Sequence, residues 1–191
     1  MSISRRSLLA LAGSAALPLN ATAARSRDLI VSPDGLARIG SQTFRCAIGR
    51  GGIRFGKQEG DGATPAGQWP LRRLFYRPDR YARPRCVLPA TAMKPEDGWC
   101  DAPADASYNT QVTLPYPASA EHLWRTDRVY DLVVVVGYND QPVVAGRGSA
   151  IFLHIARENY TPTAGCVAFA PNDLLAILRM IDRRSRLVAQ A

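Results

Sequence analysis

A mainly β domain carrying one C-terminal helix is the fold class this sequence predicts, and three observations carry it. Short runs of β-branched and aromatic residues recur between turn signals. Fourteen prolines and fifteen glycines among 191 residues punctuate the chain too often for long helices. Only one segment, after Pro171, has apolar residues at helical spacing. The length suits one domain with a substantial core, and 47% hydrophobic with 21% charged residues is ordinary globular composition.

The elements follow in order. "LIVS" (29–32), a turn at Pro33-Asp34-Gly35, "LARIG" and "TFRCAIG" read as a hairpin and a third strand. The glycine-rich "GRGGIRFGKQEGDGATPAG" is turn chemistry, and "QWPLRRLFY" can resume as a strand. It is not a phosphate loop, because Lys57 precedes the glycines instead of following them. Residues 77–128, with seven prolines, are the least regular region and too long for an inert connector; such segments serve as binding loops or lids. "LVVVVGY" (132–138) is a buried strand. Asn139-Asp140 turn, "PVVAG" pairs back, and "SAIFLHIA" (149–156) and "VAFA" are further strands. Pro171-Asn172-Asp173 opens the helix with the polar pair as cap candidates. Leu174, Leu175, Leu178, Met180 and Ile181 form its apolar face, before an arginine-rich tail.

Residues 1–23 read as a cleavable export signal. Arg5 and Arg6 precede an apolar run from Leu8 to Leu19, which ends in Ala21-Thr22-Ala23. That run is too short for a stable membrane span. The paired arginines followed by Ser7, Leu8 and Leu9 match the twin-arginine type, an ordinary secretory signal being the alternative. The expected mature domain is 24–191, working in the periplasm. Losing Arg5 and Arg6 lowers the formal charge from +8 to +6. A basic surface attracts polyanions. Export and scattered arginines argue against nucleic acid, so a carboxylate-bearing wall polymer is the more economical partner, with a basic surface that has no dedicated partner as the equal alternative. Export also permits disulfides. Cys86 and Cys100 would close a loop of about fourteen residues, worth roughly 3 kcal/mol, although sequence does not fix connectivity. Two histidines and dispersed thiols, without a CxxC pair, predict neither metal nor cofactor.

The chemistry-bearing stretch is "FLHIARENYTPTAGCVAF" (152–169). His154 ends a predicted strand, and a proline-containing loop can return Cys166 beside it. A cysteine nucleophile needs a base, a group orienting that base and oxyanion donors. Gly165 permits close backbone approach, making the Gly165 and Cys166 amides candidate donors. Glu158 or a backbone carbonyl could orient the imidazole. A buried, inert thiol is the competing reading.

These residues resemble the L,D-transpeptidases, the YkuD-like catalytic domain. The likeness lies in a strand-borne His154, a loop and Thr163-Ala164-Gly165-Cys166-Val167. "KQEGDGATPAG" (57–67) is similar to the family's Thr-Pro-x-Gly signature. "DGWCD", "YNTQV", "EHLWRTD", "YDLVVVVGYND" and "GSAIFLH" resemble one bacterial branch, so the likeness spans roughly 43–180. It implies a β-sandwich or barrel with long active-site loops. It also implies attack by Cys166, with His154 as base, on a peptidoglycan stem carbonyl at an L-centre. The D-amino-acid end leaves, and the amine of a neighbouring stem resolves the thioester. Gly165 and Cys166 would supply oxyanion amides, while Thr163 shapes the loop.

Three positions depart from the family pattern: Ala164 where a second histidine is usual, Ala168 where arginine or asparagine is usual, and Ile155 where glycine is usual. They put donor choice in doubt, including a donor cut at its first residue instead of its third. His122, with Glu121 and Arg125, is a candidate replacement for the lost histidine. Arg50, Lys57 and Arg147 are candidate partners for stem carboxylates, each otherwise a solvated charge. Tyr138 and Asn139 are candidates for facing the same site. An L,D-carboxypeptidase using water as acceptor, or a wall-binding module without catalysis, are the alternatives; oligomeric state is open.

Overall fold

Alternation along the strands decides the architecture. In the computed structural model, which describes residues 27–191, β1 (Leu29–Val31), β2 (Leu36–Ile39) and β3 (Gln42–Ala47) form the expected antiparallel meander. β4 (Ile53–Arg54) and β5 (Thr64–Pro65) pair in parallel across the base of the polar glycine-rich loop. β6 (Gly67–Tyr76) is the longest strand. The proline-rich region is not an unstructured lid. It holds β7 (Ala90–Ala92), β8 (Asp97–Cys100), β9 (Gln111–Thr113) and β10 (Ala120–His122), the last three forming a small sheet ordered β10-β8-β9. β11 (Leu132–Val136), β12 (Phe152–Ile155), β13 (Val167–Phe169), α1 (Pro171–Met180) and β14 (Arg186–Ala189) complete the chain.

Eight strands close into a ring, β11-β12-β13-β3-β2-β1-β14-β6, because β6 pairs with β14 through residues 67–70 and with β11 through residues 71–76. β11 is buried on both faces, which explains its unbroken apolar run. Leu132, Val134 and Val136 join the main core with Leu153, Ile155, Phe169 and the Leu174, Ile177 and Leu178 face of α1. Val133 and Val135 face the other way, into a second cluster with Phe75, Met93, Trp99, Leu123, Tyr130 and Phe152. The small sheet and its loops are thus a second layer over the outer face of the ring.

Several expectations change. "PVVAG" is an exposed turn, not a strand: Asn139 uses its side-chain amide to bind both the N–H and the carbonyl of Val144, which satisfies the backbone locally. Asn172 and Asp173 lie inside the first turn of α1. Ala170 precedes the helix without a side-chain cap, and Pro171 at the first position has no N–H to satisfy. The arginine-rich tail is not loose either, since β14 pairs in parallel with β1, and Arg186 bonds the fully buried Asp28 at 2.7 Å. All four thiols are free, so the Cys86–Cys100 bridge is not formed; Cys86 bonds the Leu88 carbonyl while Cys100 is buried in β8. The signal at 1–23 lies outside the described residues. Among those described, no helix is long and apolar enough to cross a membrane.

Candidate active site

β12 and β13 run parallel with Leu153 opposite Val167 and His154 opposite Ala168. Cys166, just before β13, therefore falls beside Phe152, and its side chain shares a face with His154 two residues along. That is the outer face, under the small sheet. Both residues line one cavity of about 360 Å³, together with Arg50, Lys57, Glu121 and Tyr130.

Each of the pair is held by backbone. His154 Nδ1 lies 2.9 Å from the Ile155 carbonyl. In a neutral imidazole that contact requires the proton on Nδ1, leaving Nε2 as a base. The orienting acceptor is thus a backbone carbonyl, and Glu158 stands exposed in a 3₁₀ turn. The Tyr130 ring packs edge-on against the imidazole at 5.3 Å. The Cys166 thiol donates to the Ala150 carbonyl at 3.1 Å and accepts the Phe152 N–H at 3.3 Å. Burial lowers the His154 pKa to about 4. Burial, reinforced by the Glu121 charge, pushes the thiol up to about 12. At neutral pH the resting pair is a thiol and a neutral imidazole, not an ion pair.

The turn before Cys166 is set from two directions. Thr163 Oγ1 donates to the Cys166 carbonyl at 2.6 Å and accepts the Gly165 N–H at 3.1 Å. Gly165 is therefore not a free oxyanion donor here, which reduces the expected pair of amides to that of Cys166. Gly165 has φ +139°, and a Cβ there would sit 2.8 Å from the Ala63 carbonyl, so only glycine fits without strain. From below, fully buried Thr64 of the Thr-Pro-Ala-Gly segment donates to the Gly165 carbonyl at 2.9 Å and accepts the Gly49 N–H at 2.9 Å. In a trans peptide the C=O and N–H point oppositely. Anchoring the Gly165 carbonyl on Thr64 thus turns the Cys166 N–H away from that wall.

A second support comes from the proline-rich region. Asn109, buried within "YNTQV", uses its whole amide: Oδ1 accepts the Ala150 N–H and Trp99 Nε1–H, and Nδ2 donates to the Tyr138 and Asn139 carbonyls. This holds Ala150 at φ +53°, the conformation in which its carbonyl meets the thiol. Sequence alone assigns Asn109 no role, because its backbone partners lie about 30 to 40 residues away.

The other candidates separate. Arg125 lines the cavity but is tied to Asp127 by two hydrogen bonds. Lys57 is buried beneath the Cys166 turn and pairs with Asp61 at 2.7 Å, so it is a structural cation before it is a carboxylate receptor. Arg50 is exposed on the rim. His122 is also exposed, and it is not in the cavity wall: on β10 it faces away, and the neighbouring Glu121 points in. Tyr138 is likewise misplaced by the sequence reading. It lines a different cavity, packs edge-on against Trp69 and donates its hydroxyl to the Arg147 carbonyl. Asn139 is occupied with Val144 and Gly148, and Arg147 is an exposed turn residue outside the cavity wall. Of the three departures, Ala164 is exposed at the cavity edge, Ala168 is buried beside His154, and Ile155 fills the core. Among the described residues, no group of three or more His, Cys, Asp or Glu is placed to hold a metal.

No curated protein and no solved structure matches the chain. The family profile of the L,D-transpeptidase catalytic domain, YkuD, does match, over residues 29–188. That span runs from β1 into β14 and takes in the whole ring, the covering sheet and the cysteine–histidine face. The chain therefore belongs to the YkuD family of L,D-transpeptidase catalytic domains, a family of cysteine-dependent transpeptidase-type enzymes.

Proposed function

We propose that the protein is an exported, periplasmic peptidoglycan L,D-transpeptidase with Cys166 as nucleophile and His154 as base. The observation that carries this reading is the convergence of Cys166 and His154 on one strand face and one cavity, with the proton-accepting Nε2 left free. As Sγ attacks the carbonyl at an L-centre of a stem peptide, its proton passes to His154 Nε2. The Cys166 N–H donates to the developing oxyanion. Collapse expels the D-amino-acid end, which takes the proton from the imidazolium, and leaves a thioester on Sγ. The amine of a neighbouring stem then displaces the thiol and forms the cross-link. Concerted transfer suits a pair that rests neutral: the thiolate need exist only as the new bond forms.

Residues 1–23 support export, and peptidoglycan supplies both donor and acceptor. Which stem position is joined follows from walls that the alanines at 164 and 168 leave less polar than the family pattern. The test is intact-protein mass spectrometry with a purified tetrapeptide stem. Wild type is expected to gain the donor mass less the released amino acid, and Cys166→Ala to gain nothing. Cross-linked dimers among the products support transfer; shortened monomers alone assign a carboxypeptidase. An unmodified wild-type protein refutes both, leaving a wall-binding module.

A further inference from the structure

The cavity beside Cys166 is electrically lopsided. Three of its cations are already committed, Lys57 to Asp61 and Arg125 and Arg157 both to Asp127, and the fourth, Arg50, stands exposed on the rim. Two of its anions are not. β10 pairs antiparallel with β8 so that Glu121 lies opposite Trp99 and Ala120 opposite Cys100. The ladder continues through the Asp101 N–H bond to the Ser119 carbonyl at 3.2 Å. Glu121, Trp99 and Asp101 therefore share the face of the small sheet that lies over the ring, where Trp99 packs on Phe152. Both carboxylates line the same cavity as Cys166 and His154. Among the described residues, Glu121 accepts only the Tyr130 hydroxyl, at 2.7 Å. Asp101 Oδ1 is buried with no hydrogen-bond partner among the described residues.

That arrangement is costly as it stands. A buried carboxylate oxygen without a donor is rare in folded proteins, and two carboxylates on one face repel. The charge near Sγ also opposes thiolate formation: Glu121 adds to the rise in the Cys166 pKa, while burial and the Asp101 charge raise that of Glu121 itself. One chemical class relieves all of this at once, a primary ammonium, with three donors and a positive charge. The third carboxylate in the wall, Glu59, does not compete, because it already accepts from Tyr108 and Ser149.

We infer that Glu121 and Asp101 form the acceptor subsite, seating the protonated primary amine that resolves the thioester. This rests on the transpeptidase reading and specifies who the acceptor is: an amine that arrives charged. One N–H proton passes to the Glu121 carboxylate, and the freed nitrogen lone pair attacks the acyl carbon. The C–S bond breaks, the second proton passes through His154 Nε2 to Sγ, and Glu121 returns its proton to solvent. The acceptor enters as R–NH3⁺ and leaves as an amide N–H, with one proton on the thiol and one released. Tyr130, bridging from Glu121 to the imidazole, holds the two proton acceptors in fixed relation.

The test separates acylation from aminolysis. Wild type, Glu121→Gln and Asp101→Asn, each checked for folding by circular dichroism, receive a purified tetrapeptide stem without acceptor, and adduct formation is timed by mass spectrometry. D-lysine or a second stem is then titrated in, and aminolysis is compared with hydrolysis. Glu121→Gln keeps the Tyr130 hydrogen bond through its amide oxygen. Its expected phenotype is acylation no slower than wild type, because the charge opposing the Cys166 thiolate is gone, with an acceptor KM raised about ten- to a hundredfold, the span of a lost charged hydrogen bond, and products shifted toward hydrolysis. Asp101→Asn is expected to shift partition the same way. Normal acylation with unchanged partition in both variants overturns this inference alone. No adduct on wild type overturns the transpeptidase reading and takes the inference with it.

Discussion

Thr64→Val offers the sharpest test of how the nucleophile is positioned. Valine matches threonine in shape but removes the hydroxyl that accepts from Gly49 and donates to Gly165 at full burial. An N–H and a C=O would be left unpaired inside the protein, at about 1–3 kcal/mol each, or about 2–6 kcal/mol together. Against a typical stability of about 5–15 kcal/mol the variant still folds at low temperature. With its anchor gone, the Gly165 carbonyl can turn, and the Cys166 N–H turns with it because they share one peptide plane. Losing one oxyanion donor costs about 10²–10³ in rate. The assay is the rate of thioester formation on stem peptide, at a temperature where thermal melts show both proteins folded. Thr64→Ser, which keeps the hydroxyl, is expected to restore most of the rate. A folded Thr64→Val that acylates within twofold of wild type would refute the positioning role.

Gly165→Ala places a Cβ 2.8 Å from the Ala63 carbonyl at φ +139°; a loss of about 1–3 kcal/mol in urea unfolding is expected, and an unchanged midpoint counts against the strain. Asn109→Ala strips partners from four backbone and side-chain groups around Ala150, so a drop of about 3 kcal/mol or more is expected; a loss under 1 kcal/mol would show the network to be dispensable. His154 has its pKa depressed from 6.5 to about 4 by burial. The unfolded state binds the extra proton between those values, so this contribution is complete above about pH 6.5 and is lost as pH falls toward 4. It amounts to about 3 kcal/mol at 1.36 kcal/mol per unit. Urea titrations across that range should show a steeper decline for wild type than for His154→Gln, and parallel curves would contradict it.

Local pattern carried much of this protein and failed where partners are distant. "LIVS", "TFRCAIG" and "LVVVVGY" were legible as strands because period-two and buried runs are properties of the segment itself. β14 was not: its four residues follow an arginine cluster and become a strand through β1 and β6, both more than 100 residues away. The small sheet escaped notice because β9 and β10 have three residues each, too few for alternation to stand out among prolines. The same shortness misplaced the site. His122 and Glu121 are adjacent, and choosing which one faces the cavity requires the register against β8. His154 and Cys166 were readable because family likeness supplied what spacing could not. Tyr138 was a poor choice for a physical reason: ending a buried strand places a ring in the wall, and the side of the wall depends on Trp69.

The ring is closed by its last strand. β1 has β2 as an early neighbour, but its other edge waits for β14, and β6 waits for β14 along residues 67–70. A ribosome emitting this chain therefore holds an open-edged sheet until residues 186–189 emerge, and exposed strand edges invite pairing with other chains. Synthesis and closure are separate events here, with closure the later one. Loss of Arg186–Ala189 alone would expose an edge of β1 and an edge of β6, so four residues govern whether the ring closes.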